Sequence, residues 1–223
     1  MLQLDFLAVL VDWPMLARGI GMTVMLTAIS TLIGLAVGVF GAWARSQGPA
    51  WLAWTMGTYV ELIRNTPFIV QLFFVFFGLP SLGVKLTPEL ASVIAMVLNL
   101  GAYSTEIVRA GVEATPRGQF EAAASLALTP AQTYLRVVLP PALKRVWPAE
   151  VSQIVIVMLG SAVCGQIATQ ELSYYANLIQ SRNFRAFEAY IVATVLYLAL
   201  AVALRHLLQW AGPRFLFGRS GAR

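Results

Sequence analysis

Long apolar runs alternate with short polar segments along the 223 residues of this chain. The clearest run covers residues 19–44 without a charged side chain, and it exceeds the roughly 20 residues that a helix needs to cross a bilayer. Four more runs follow, and together they predict transmembrane helices at about residues 19–44, 56–79, 88–111, 148–169 and 187–208. The pattern predicts an all-α, polytopic membrane protein with five transmembrane helices, folded as a single domain over residues 1–223.

Charged side chains interrupt the second and third runs. Glu61 and Arg64 fall in the first half of the second run, and because charge is costly inside a bilayer, we expect them near a water boundary. Glu106, Arg109 and Glu113 follow at intervals of three and four residues, so they share one face of a helix and are expected to pair. A structural cluster near the inner membrane surface is favoured here over a proton relay.

Small residues mark one face of the first predicted helix, where Gly34, Gly38 and Gly41 recur at helical spacing. Inside a membrane, such residues let two helix backbones approach closely and pack by van der Waals contact. We expect this face to pack against another helix of the same chain rather than against a second copy.

The composition agrees with a membrane protein and predicts its orientation. Hydrophobic residues make up 59% of the chain and charged residues 11%, and the mean hydropathy is +0.75. Cytoplasmic loops are enriched in Lys and Arg, and eleven of the 15 such residues here fall on one side of the predicted membrane. They are Arg45, Arg64, Arg109, Arg117, Arg136, Lys144, Arg145, Arg205, Arg214, Arg219 and Arg223. We therefore expect an external N-terminal stub (residues 1–18) and a cytoplasmic tail (residues 209–223).

This bias also explains the net charge of +5, so a nucleic-acid partner is not needed to account for it.

Cys164 and His206 are the single residues of their types in the sequence. An internal disulfide is thereby excluded, and a metal site would need further ligands that the sequence does not offer.

The polar segment between the third and fourth spans, about residues 113–147, carries two helix-start signals. Thr129 precedes Pro130 and Gln132, which is typical of an N-cap with proline in the first turn, and Thr115 and Pro116 give a weaker start upstream. These signals predict short helices over residues 116–127 and 130–138. Proline disfavours helix in its own and the preceding residue, so Leu139, Pro140 and Pro141 are expected to end the second helix.

The first of these helices has a small apolar face beside Glu121, more exposed hydrophobicity than a solvated loop normally shows. We expect a partner protein to cover it. The face consists of Phe120, Ala123, Ala124 and Ala127.

Glu121-Ala122-Ala123, followed by Leu139-Pro140 and Ala142, resemble the EAA loop of permease subunits of bacterial ABC importers. Further matches extend over roughly residues 15–210 and resemble the branch that imports polar amino acids of the histidine, glutamine, glutamate and arginine type. The matching residues are Gly101-Ala102-Tyr103, Glu106, Arg109-Ala110-Gly111, Gly118-Gln119, Glu171-Leu172, Arg64-Asn65-Thr66-Pro67 and Gln71-Leu72. Five spans with an external N-terminus is also the topology of that branch.

The resemblance implies a transport subunit without catalytic activity in the bacterial inner (cytoplasmic) membrane. Its implied partners are two ATP-binding ABC subunits that carry ATP and Mg, a second permease subunit (in a homodimer or a heterodimer), a periplasmic amino-acid-binding protein, and membrane lipid. The chain itself is expected to bind no cofactor. The residues that the resemblance assigns to ATPase coupling are Gly118, Glu121, Ala122, Ala123, Ala127, Leu139 and Pro140.

Two positions depart from the family pattern. Ala127 stands where the family usually has Gly, and Ala is small enough that we expect docking to survive. Met158-Leu159-Gly160-Ser161 stand where relatives often carry a Lys-Asp-Thr-Ser-like run. The second departure indicates either the less polar half of a heterodimer or a different substrate.

Polar side chains inside the predicted spans are candidates for contact with the solute, because burying them without a partner is unfavourable. Hydrogen bonding between helices is the alternative role for each. These candidates are Asn99, Tyr103, Ser104, Ser161 and Gln166.

Two other classes of function compete with that of a transport subunit. A self-sufficient secondary carrier or channel for a small polar solute is the alternative, but a carrier should show inverted repeats, and five spans show no convincing one. A membrane enzyme should show a nucleophile with a base or a metal cluster, and the single His and Cys are far apart in the sequence.

Overall fold

The computed structural model describes residues 4–212 and 214, and over those residues the protein is built from helices without β-strands. In chain order they are α1 (Leu7–Leu10), α2 (Trp13–Gln47), α3 (Ala50–Arg64), α4 (Phe68–Ser81), α5 (Pro88–Glu113), α6 (Arg117–Ser125), α7 (Pro130–Ile167), α8 (Leu172–Asn183) and α9 (Ala186–Ala211). Two of these helices depart locally from α geometry. A π-helical turn occupies Phe74–Gly78 in α4 and another occupies Thr133–Val138 in α7, which ends in a 3₁₀ segment at Ser161–Ile167.

Four helices, α2, α5, α7 and α9, are long and apolar enough to cross a membrane. α3 and α4 pass the same test only as a pair, with a bend of 111° between them. If this bent pair is one span, the described part of the chain has up to five. The prediction of an all-α, polytopic membrane protein is confirmed.

The second predicted span, residues 56–79, is not one straight helix, because residues 65–67 interrupt it. Pro67 has an extended backbone, with φ −62° and ψ 140°, and a proline also disfavours helical geometry in the residue before it. The Gln71 amide donates to the carbonyl oxygens of Ile63 at 2.7 Å and Thr66 at 2.9 Å. Gln71 thereby satisfies backbone acceptors that the broken helix leaves without an intrahelical donor.

The prediction that Leu139, Pro140 and Pro141 end a helix is wrong. They open the regular α-helical part of α7, Leu139–Gly160, directly after the π-helical turn. Proline is tolerated in a first helical turn because its missing N–H would have no regular intrahelical acceptor there. The polar segment therefore leads into the fourth long helix without an intervening loop.

The glycine face of α2 packs against α5, as predicted. An ideal Cβ built on Gly34 would lie 2.9 Å from Cβ of Leu100, and one on Gly38 would lie 3.1 Å from the carbonyl carbon of Ser104. Gly41 meets α5 one turn further on. Any larger side chain at these positions would have to push the two helices apart.

Of three apolar cores in the described part of the chain, two hold the helices around the polar segment, and the third joins α1, α2, α8 and α9 around Leu16, Leu172 and Ile179. The larger core joins α2, α4, α5 and α7 through buried side chains that include Leu26, Leu72, Met96, Leu100 and Ile154. The second lies beneath α6, where Val108 and Val112 of α5 pack with Tyr134 and Val138 of α7. The polar segment is thus fastened to the membrane helices on both sides of it.

The predicted terminal segments are described only in part. The last residues of the predicted stub, from Trp13 onward, belong to α2, and residues 1–3 lie outside the described residues. α9 ends at Ala211, and most of the predicted tail, residue 213 and residues 215–223, also lies outside them.

Candidate functional site

The first candidate site is the polar segment between α5 and α7, which we call the coupling segment (residues 114–139). The second predicted helix of this segment, which is the start of α7, begins with a reciprocal cap at Thr129, as predicted. The Thr129 hydroxyl accepts from the Gln132 backbone N–H at 3.3 Å, and the Gln132 side-chain oxygen accepts from the Thr129 N–H at 2.9 Å. This pair fixes the direction in which α7 leaves the segment.

α6 ends in a Schellman motif centred on Ala127. The Ala127 N–H donates to the Ala124 carbonyl at 2.9 Å, and the Leu128 N–H donates to the Ala123 carbonyl at 3.1 Å. Ala127 has a φ of 53°, the left-handed region that favours glycine at this position of the motif. The segment therefore makes the tight turn with alanine, at a cost in backbone strain of about 1 kcal/mol.

We expect Ala127→Gly to remove that strain and stabilise the end of α6 by about 1 kcal/mol, which slows amide exchange there roughly fivefold. Hydrogen–deuterium exchange of the α6 amides measures this directly. Ala114 is the matched control, because it closes α5 with an ordinary φ of −76°. Ala114→Gly should give no protection, and equal gains from both variants would contradict the strain at Ala127.

The two faces of α6 have different surroundings. Ala123 is buried and Phe120 packs against the Tyr134 and Val138 core, so the expectation that a partner covers these two residues is corrected: the chain covers them itself. The opposite side is open, and Leu126 is 74% exposed. The exposed predicted coupling residues are Gly118, Glu121, Ala122, Ala127 and Pro140, whereas Leu139 is buried.

Leu126 was missed by the sequence reasoning because it falls off the apolar stripe of Phe120 and Ala123. A detectable signal existed, since it is the one large apolar residue between Glu121 and Ala127. Leu126 lies beside a carboxylate and small side chains on the part of α6 that the rest of the described chain leaves open.

An ionic cluster lies at the base of the coupling segment. Glu106 on α5 binds Arg45 of α2 and Arg109 of its own helix, the latter at 2.9 Å, and lies 3.9 Å from Arg64 of α3. Arg109 also pairs with Glu113. The predicted pairing within α5 is confirmed, and Arg45 and Arg64 extend it to two more helices.

The second candidate site is the break between α3 and α4, which lies beside the middle of α5. The Asn99 amide donates to the Gln71 side-chain oxygen at 3.0 Å, and the Arg64 guanidinium lies over the Tyr103 ring, 5.4 Å from its centroid. Glu61, Arg64 and the backbone turn that follows them are exposed on this side of the chain. Polar groups at an interrupted helix inside an apolar span are typical of a solute pathway.

The structure brings two of the five predicted solute contacts, Asn99 and Tyr103, to this break. Ser104 is fully buried and donates to Glu150 at 2.8 Å, and Ser161 is fully buried and donates to the Met158 carbonyl at 2.6 Å. Gln166 is exposed on the 3₁₀ segment of α7. Among residues 4–212 and 214, no group of three or more His, Cys, Asp or Glu side chains could hold a metal ion.

Residues 30–216 match the model of a family described as the binding-protein-dependent transport system inner membrane component. The chain belongs to this family. The description agrees with the long apolar helices of the fold, and it makes the chain an inner-membrane component of a transport system.

Curated relatives of this permease family match along most of the chain. The chain is 36% identical over 186 residues to the L-cystine transport system permease protein TcyB of Bacillus subtilis (strain 168), covering 83% of this chain and 80% of the relative. It is 32% identical over 211 residues to the glutamine transport system permease protein GlnP of Escherichia coli (strain K12), covering 93% and 96%.

Solved structures agree with this membership. A crystal structure of an amino acid ABC transporter with histidines matches with a TM-score of 0.84 and 33% identity, covering 94% of this chain and 98% of the other. An inward-facing structure of the MetNI methionine ABC transporter matches with a TM-score of 0.70 and 25% identity, covering 92% and 96%. The likeness therefore extends to the arrangement of the helices.

Proposed function

We propose that this chain is the permease subunit of an ATP-driven ABC importer that moves polar amino acids into the cytoplasm. The observation that carries this proposal is the coupling segment, an exposed short helix held rigidly between two long apolar helices in a chain of the permease family. The substrate class is supported by relatives named for cystine and glutamine and by the transporter solved with histidines.

ATP hydrolysis takes place on two separate ATP-binding subunits, which hold ATP and Mg. The exposed side of α6 docks on them through Leu126, flanked by Gly118, Glu121 and Ala122. Leu126 enters an apolar pocket of the ATPase, Glu121 pairs with a basic group beside it, and the small residues let the two surfaces approach. A few well-packed, desolvated residues supply most of the binding energy of an interface, and we assign that role here to Leu126.

Movement of the ATPase subunits reaches the membrane because the coupling segment cannot flex independently. Phe120 and Ala123 tie α6 to the core beneath it, and Arg145 of α7 donates to the Gly111 carbonyl of α5 at 3.2 Å. The Glu106 cluster then links α5 to α2 and α3. A displacement of α6 is therefore passed to four membrane helices as a rigid-body movement.

In the proposed orientation the coupling segment and the C-terminus lie in the cytoplasm and the N-terminus in the periplasm, and the Lys and Arg bias supports it. A periplasmic amino-acid-binding protein then delivers the solute to the opposite end of the helices, near the turn between α4 and α5.

The exposed acidic and basic groups at the break complement a zwitterion: Arg64 suits a carboxylate and Glu61 suits an ammonium group.

A second permease subunit, identical or homologous, covers the exposed side of the break. Without it, Glu61 and Arg64 would face lipid, where charged groups are unfavourable. The solute passes between the two subunits at this level, past Asn99 and Tyr103 and towards Gln166, while Ser104 and Ser161 support the helices from within.

Charge reversal at the docking helix tests this proposal. We expect Glu121→Arg to leave insertion and folding unchanged, because Glu121 is exposed and makes no ion pair within the described residues. Recovery of the ATPase by affinity copurification should fall about tenfold, as for a charge pair turned into repulsion. Amino-acid uptake into proteoliposomes should fall with it.

Glu89→Arg is the matched control, since Glu89 lies in the first turn of α5 at the other end of that helix. It should leave ATPase recovery unchanged. Full ATPase recovery and uptake with Glu121→Arg would refute the docking role, and uptake by the chain without any ATPase would favour a self-sufficient carrier or channel.

A further inference from the structure

An apolar groove lies between α2 and the first half of α7 and is separate from the exposed face of α6. Its volume is about 640 Å³, within the range of cavities that hold small organic ligands. Leu35, Phe40 and Trp43 form the α2 wall, and Leu143 and Trp147 belong to the α7 wall. Such a lining suits a hydrocarbon body.

One carboxylate interrupts this lining. Glu150 of α7 lines the groove, and its side chain is almost fully buried, with 1% of the residue exposed. One oxygen, Oε2, accepts a hydrogen bond from the Ser104 hydroxyl at 2.8 Å, whereas Oε1 is buried without a hydrogen-bond partner in the described part of the chain. A buried oxygen in that state is unfavourable unless a donor reaches it.

Two other polar groups of the lining already have acceptors. Trp147 donates to the Leu208 carbonyl at 3.0 Å, and Tyr134 donates to the Val39 carbonyl at 3.5 Å. A hydrocarbon chain alone would fill the groove but leave Oε1 unpaired. The occupant that satisfies Oε1 therefore carries a hydrogen-bond donor as well as an apolar body.

We propose that this groove binds a long-chain amine, with its hydrocarbon body between α2 and α7 and its ammonium group on Oε1 of Glu150. A cation is the favoured donor because an unpaired carboxylate in a membrane interior is stabilised most by an opposite charge. The ligand contacts α2 and α7 together and also reaches Tyr134, at the end of the coupling segment. The site is distinct from the proposed amino-acid pathway.

Photoaffinity labelling of the purified chain in lipid nanodiscs tests this site. The probe is dodecylamine with a diazirine near the chain end, and adducts are mapped by mass spectrometry. We expect labelling of the peptides that contain residues 35–43 and 143–150. Glu150→Gln keeps the shape and the Ser104 contact but removes the charge, so labelling there should fall roughly tenfold.

Two controls separate an ion pair from simple partitioning. Glu113→Gln removes a carboxylate at the end of α5, outside the groove, and should leave the labelling unchanged. The matching dodecanol probe should label the wild-type groove as weakly as the amine labels Glu150→Gln. Equal labelling by the amine and the alcohol, or undiminished labelling of Glu150→Gln, would overturn the proposal.

A second variant keeps the test decisive if Glu150→Gln fails to fold. Ala36→Leu narrows the groove from the α2 side and leaves Glu150 in place. Labelling of the groove peptides should fall in this variant as well. Labelling at the wild-type level would show that the probe binds elsewhere and would contradict the site.

Discussion

A chain with Leu126→Asp is expected to reach the membrane and fold normally but to recover roughly 30-fold less ATPase, the loss of about 2 kcal/mol typical of an interface hot spot. The reason is that Leu126 is 74% exposed on the free side of α6. In the proposed interface, an aspartate there would have to enter an apolar pocket of the ATPase without a counter-charge. Copurification from detergent measures the recovered ATPase, and the amount of folded permease is measured in parallel. The ratio of the two is compared between the variant and the wild type.

Leu82→Asp is the control for this prediction. Leu82 is 79% exposed, and it follows α4 at the end of the molecule opposite the coupling segment. The same change there should leave ATPase recovery at the wild-type level. A similar loss from both variants would indicate a general effect of the added charge and would remove the special role of Leu126.

The second large effect is expected at the contact between α2 and α5. A side chain at Gly38 would meet Ser104 and lie 3.2 Å from the backbone nitrogen of Thr105. Backbone cannot rotate aside as a flexible side chain can, so Gly38→Val should destabilise the fold by about 3 kcal/mol. The measurement is the folded fraction that remains by size exclusion after heating in detergent.

Gly21 offers a control in the same helix. An ideal Cβ at Gly21 has no heavy atom within 4 Å, so Gly21→Val should be tolerated. A loss of stability as large as that of Gly38→Val would mean that the helix tolerates no larger residue anywhere, and that the close approach to α5 is not the cause.

Local sequence signals were sufficient for much of the coupling segment. The Thr129 cap, the upstream helix and the glycine face of α2 were all predicted, because each depends on residues within one or two helical turns. The role of Pro140 and Pro141 was mispredicted. Whether prolines end a helix or begin one depends on the turn before them, and the π-helical turn at Thr133–Val138 has no clear local signal.

Contacts between distant parts of the sequence could not be predicted in the same way. Glu106 and Arg109 are close in the sequence, so their pairing was visible, but Arg45 is 61 residues away from Glu106. The break after Arg64 likewise depends on the contact between Gln71 and Asn99, which are 28 residues apart in the sequence. Such partners are set by helix packing rather than by local propensity.

The most direct test of the coupling role is the side of the membrane on which α6 lies. Ser125→Cys places a thiol on the exposed part of α6, and Leu82→Cys places one at the other end; the native Cys164 is buried. With a membrane-impermeant maleimide, Ser125→Cys should react in inverted vesicles but not in intact cells, and Leu82→Cys should do the reverse. Labelling of Ser125→Cys from outside intact cells would contradict the whole account, because no ATPase could then reach the coupling segment.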